Sequence, residues 1–73
     1  MTGPELRRAR ENLGLSINQL ATLLEMRPDT LRHMEMPEHM SSSEPVGRKT
    51  EMIVQSYLDG YRPNGWPKDT RYL

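Results

Sequence analysis

Asp29, Arg32 and His33 fall within little more than one helical turn, off the line of Leu31 and Met34, and each brings a different hydrogen-bonding chemistry. Arg32 carries a planar fork of N–H donors that suits an edge with two acceptors, Asp29 can only accept, and His33 can do either according to its protonation. The bland alternatives are a solvated helix face for Arg32 and His33, and for Asp29 an acid that complements the helix dipole. The other polar side chains point to no catalysis. His33 and His39 with Glu35 and Glu38 lack a metal-ligand spacing, no nucleophile pairs with a base, and no glycine-rich phosphate loop is present. An enzyme is not expected, and neither a metal nor a cofactor is implied.

The elements that must position these residues can be read from their flanks. Ser16 followed by Gln19 is a capping box that opens a helix over about 16–24, with Ile17, Leu20, Ala21 and Leu24 at helical spacing. Pro28 opens the next helix, over about 28–35, because its missing N–H would go unpaired there in any case. Leu31 and Met34 give this helix its apolar stripe, and Met36-Pro37 ends it. Two short helices joined this tightly must cross steeply, which is a helix-turn-helix. Upstream, Thr2-Gly3-Pro4-Glu5 is a second capping box. It starts a helix with Leu6, Ala9, Arg10 and Leu13 on one face and Gly14 as its left-handed cap. Residues 37–44 are loop by composition. Pro45, capped by Ser43 or Glu44, is expected to start a last helix carrying Val46, Thr50, Ile53 and Tyr57, flanked by Val54 and Leu58 and closed by Gly60. Met26, Met34 and Met36 read as core filler. The expected architecture is all-α, a small four- to five-helix bundle over residues 1–60 with an extended tail over 61–73.

Composition limits what such a chain can be. Seventy-three residues, 34% of them hydrophobic and none of them Phe, allow one modest core, and a partner could supply part of the stability. Cysteine is absent, which removes disulfides and thiolate metal sites. No apolar run reaches membrane-spanning length and no signal segment follows Met1, so a cytoplasmic protein is expected.

Taken together, Leu6, Arg10, Leu13-Gly14-Leu15-Ser16, Leu20-Ala21, Leu24, Thr30-Leu31 and Glu35 resemble the lambda-repressor-like, Cro-type helix-turn-helix regulators. The last helix and the Gly60-Tyr61-Arg62-Pro63 ending extend the resemblance to about residues 2–63. It implies a double-stranded DNA-binding regulator, mostly repressing and dimeric. The base-reading positions would be Pro28, Asp29, Arg32 and His33, with Arg32 directed at guanine, Asp29 at cytosine N4, and Pro28 limited to shape or apolar contact. Asn18, Gln19, Arg27, Thr30, Arg48 and Lys49 become candidates for the DNA backbone. The last two are cations that oppose the dipole of their own helix, so either a phosphate partner or a solvated face accounts for them. Arg10 and Glu35 would form a structural ion pair. Two positions depart from the family pattern. Ile17 stands where many members have a phosphate-contacting Gln, and Glu25 stands where the turn commonly has Gly, which suggests a turn built differently.

The expectation is therefore a homodimeric regulator, a repressor or autoregulator on an inverted repeat, of phage or bacterial type. Tyr57, Leu58, Tyr61 and Trp66 would contact the second subunit unless Trp66 folds back on its own domain. One rival is an antitoxin-like or phage-encoded regulator whose tail also grips a protein partner. Another is a protein-interaction module that has lost DNA binding. The net charge of zero favours the latter, since phosphate neutralisation usually demands a basic excess.

Overall fold

The computed structural model describes residues 1–37, 39–41 and 43–67, so Glu38 and the last part of the expected tail, 68–73, lie outside the described residues. Among the described residues there are four helices and no strand: α1 (Gly3–Asn12), α2 (Ile17–Leu23), α3 (Pro28–Glu35) and α4 (Arg48–Leu58). Both capping boxes form. The amides of Glu5 and Gln19 donate to the hydroxyls of Thr2 and Ser16 at 3.2 and 3.1 Å, and the two carboxamide or carboxylate side chains accept in return from Thr2 N and Ser16 N at 2.8 and 2.9 Å.

Three helices end in the same closure. The amides of Gly14, Glu25 and Gly60 bond the carbonyls of Glu11, Thr22 and Tyr57. The amide one residue further on bonds the carbonyl five residues before it: Leu15 to Arg10, Met26 to Ala21, Tyr61 to Ser56. This is the Schellman pattern, which needs a left-handed residue at its corner. Gly14 supplies it at φ 74° without a Cβ penalty, but in the α2–α3 turn Glu25 supplies it at φ 55°. The turn is thus built as in the resembled family, with a side chain where glycine would be free of strain.

Leu6, Leu15, Leu20, Leu31 and Val54 are fully buried and form the centre of the core, with Ala9, Leu13, Ala21, Met34 and Tyr57 around them. Met26 packs on the edge of that core. α3 packs on α1 and α2, and α4 packs on α1. At Gly3 the first turn of α1 comes so close to the end of α3 that a Cβ would collide with the carbonyl oxygens of Met34 and Met36.

The last helix differs from expectation. It begins at Arg48 rather than Pro45, with Gly47 as an N-cap that offers no side-chain bond. The reason lies in the preceding loop: the Glu44 amide donates to His33 O at 3.1 Å and the Ser43 hydroxyl to Met36 O at 3.5 Å. These bonds hold both expected capping residues beside the end of α3, several residues short of the first turn of α4. The buried line of α4 is Val54 and Tyr57, while Ile53 is half-buried and Leu58 exposed. Beyond Gly60 the chain runs without helix to Pro67 and folds back on its own domain. Trp66 meets Tyr57 edge-on at 5.1 Å between ring centroids, and the Arg62 guanidinium lies 4.3 Å from the Trp66 ring.

Candidate nucleic-acid interface

α3 is anchored from behind. Leu31 and Met34 are buried, and Glu35 is held by Arg10, whose Nε and Nη2 donate to the two carboxylate oxygens at 2.7 and 3.2 Å. A third donor, Arg10 Nη1, reaches Leu15 O at 2.9 Å, so one side chain ties α1, the α1–α2 turn and the end of α3 together. With the apolar and ionic anchors turned inward, the opposite side of α3 is left to solvent. Asp29 and Arg32 are exposed there, and Pro28, Thr30 and His33 are half-exposed.

Asp29 and Arg32 meet: Nη1 of Arg32 donates to Oδ1 of Asp29 at 2.7 Å across one turn of helix. His33 turns toward the loop instead, with Nδ1 3.7 Å from Glu44 Oε1. Ile17 and Arg32 are among the residues that line a surface depression, with Arg7, Pro37 and the Arg10–Glu35 pair. The position at which the resembled family places a phosphate donor is here an apolar wall beside the exposed arginine.

The backbone candidates are dispersed. Arg27 is the exposed N-cap of α3 and Asn18 lies exposed in the first turn of α2. Gln19 is half-buried with its carbonyl oxygen committed to Ser16 N, which leaves its amide group to donate. Arg48 and Lys49 are exposed and occupy the first two positions of α4. Arg27, Arg48 and Lys49 make no ion pair among the described residues. Of the residues expected at a subunit contact, Tyr57 is in the domain's own core and Trp66 is half-buried against it, whereas Leu58 and Tyr61 keep open surface.

A sequence profile described as a helix-turn-helix domain matches residues 5–61, most of the chain and every residue of the site just described except Trp66. The chain belongs to this helix-turn-helix domain family. No curated protein and no solved structure matches it. Membership fits the lambda-repressor-like pattern of the sequence, and a helix-turn-helix domain points to a DNA-binding regulator rather than an enzyme. Within this helix-turn-helix domain no described helix is long and apolar enough to cross a membrane. The described residues contain no group of three or more His, Asp or Glu placed to hold a metal.

Sequence reasoning gave two residues that shape this face other places, Glu44 as a cap of the last helix and Pro37 as the terminator of α3. Glu44 and Pro37 come to α3 from a loop whose path no periodicity specifies. The Asp29–Arg32 pair has an i,i+3 spacing of opposite charges, a signal that does not by itself distinguish a bonded pair from two separate base readers.

Proposed function

We propose that this chain is a sequence-specific double-stranded DNA-binding regulator of transcription, a repressor or autoregulator that acts as a homodimer on an inverted repeat. The observation that carries it is the two-sided character of α3. Leu31, Met34 and Glu35 fix the helix inward, while Asp29 and Arg32 are exposed and His33, beside the Glu44 loop, is half-exposed. A helix held this way can enter a major groove and bring its first turns to base edges. Arg32 is the principal reader, Pro28 and Thr30 offer apolar contact, and His33 reaches the flank. Arg27, Asn18, Gln19, Arg48 and Lys49 serve the phosphates. The last two fit this role best, since they sit at the positive end of a helix dipole with no acid partner among the described residues. Leu58 and Tyr61 supply the exposed apolar surface for a second copy, and half-sites would lie about 34 Å apart.

A second reading, an interaction module without a DNA surface, draws on the zero net charge, on Ile17 and on the neutralisation of Arg32 by Asp29. A salt titration with generic duplex DNA separates the two. A regulator binds at low salt and loses affinity linearly in log–log form as salt rises, with a slope of about −0.9 per phosphate neutralised. Absence of binding at low salt favours the interaction module. Selection from random duplexes then gives the preferred site and its spacing, and sedimentation gives the subunit number. Copurification of an unrelated chain would favour a regulator that also holds a protein partner.

A further inference from the structure

Two arginines of this domain use their guanidinium groups in complementary ways. Arg10 spends Nη1 on a backbone carbonyl and lays the Nε/Nη2 edge across both oxygens of Glu35. Arg32 likewise spends Nη1, on Asp29 Oδ1, but nothing among the described residues takes its Nε/Nη2 edge. That edge is a pair of parallel donors on the exposed side of α3, and the carboxylate that holds the group is attached to the same helix.

We propose that Asp29 is a positioning residue that holds Arg32 by one nitrogen, so that its remaining Nε/Nη2 edge reads the O6 and N7 acceptors of a guanine. This rests on the DNA-binding reading and changes the part Asp29 plays in it, from a reader of its own base to the brace of its neighbour. The chemistry favours this division. A free Asp29 facing a duplex would repel phosphates, whereas a carboxylate bound to a guanidinium presents little net charge. An arginine otherwise free to rotate arrives already aligned with a two-acceptor edge, which of all base edges in the major groove guanine alone provides.

The test uses the full chain and the duplex that it selects from a random pool, with each base pair of that site replaced in turn. The unmodified chain should prefer guanine at one position by roughly 5- to 150-fold, the ratio of a good bidentate contact. Arg32→Ala should remove that preference. Asp29→Ala should reduce it at the same base pair several-fold, while affinity for generic duplex at low salt holds or rises, because a negative charge has gone. Asp29→Asn, which keeps the oxygen, should fall between. Undiminished preference in Asp29→Ala overturns the proposal, as does an effect at a different base pair from that of Arg32→Ala. Parallel loss of generic and specific binding with a lowered melting temperature also overturns it, in favour of a purely structural acid. Failure of the unmodified chain to bind any duplex is the distinct result that removes the DNA-binding reading itself.

Discussion

Arg10 and Glu35, twenty-five residues apart, form a two-pronged ion pair whose side chains are only 11% and 7% exposed. All three Arg10 nitrogens and both Glu35 oxygens have a partner inside the domain, and no buried side-chain nitrogen or oxygen of the described residues lacks one. A buried pair of this kind contributes little relative to well-packed apolar residues, but each half is costly to leave alone. Glu35→Ala or Arg10→Ala should therefore destabilise the domain by about 3–5 kcal/mol. At about 4–8 °C per kcal/mol for a domain of this size, the melting temperature should fall far enough to unfold much of the population at 37 °C. The paired change Arg10→Met with Glu35→Leu should recover most of the loss. A single variant that melts within a few degrees of the parent would show that water reaches the stranded charge.

Glu25 predicts the opposite sign. Its left-handed backbone costs roughly 1–2 kcal/mol in an L-residue with a side chain, and its side chain is exposed and makes no hydrogen bond or ion pair among the described residues. Glu25→Gly should stabilise the domain, by up to about 1 kcal/mol after the extra freedom of glycine in the unfolded chain is set against the strain relieved. The urea midpoint should rise with an unchanged slope. A lowered midpoint would mean that the side chain does something in the turn that its exposure conceals.

Gly3→Ala is predicted to be harmful although alanine is the better helix former. The new methyl would press on the carbonyls of Met34 and Met36, and backbone cannot swing aside as a side chain can. A loss of about 1–3 kcal/mol is expected, as for other overpacked contacts. An unshifted thermal midpoint would reveal slack between α1 and the end of α3.

Burial pushes the Tyr57 phenol above its ordinary pKa, and the neighbouring Tyr61 adds to the shift. The folded state thus holds this proton more tightly than the unfolded chain does. The contribution to stability is complete below the unfolded value, about 10, and is lost as pH rises from there through the folded value. Unfolding midpoints should decline in alkali above that point, and Tyr57→Phe should flatten the decline. Equal slopes in the two proteins would assign the alkaline loss to other groups.

What could be read from the sequence was whatever depends on near neighbours. The boxes at Thr2/Glu5 and Ser16/Gln19 and the cap at Gly14 each rest on residues within a turn of one another. Arg10 with Glu35 is a long-range contact that geometry could not supply; it came from family resemblance. What escaped depends on where distant segments meet. Ser43 and Glu44 have good capping chemistry, and only the proximity of α3 diverts them to Met36 and His33. The clash at Gly3 requires knowing that α1 starts against the end of α3. Glu25 keeps the left-handed corner because the surrounding closure dictates it, against its own preference.

α1 is the helix that packs on both α3 and α4. The start of α4, with Arg48 and Lys49 turned to solvent, is thus linked to α3 by two routes, through α1 and through the loop whose Glu44 amide bonds His33 O. A substitution that shifts α1 should therefore move the cations of α4 and the outward side of α3 together, as parts of one rigid frame.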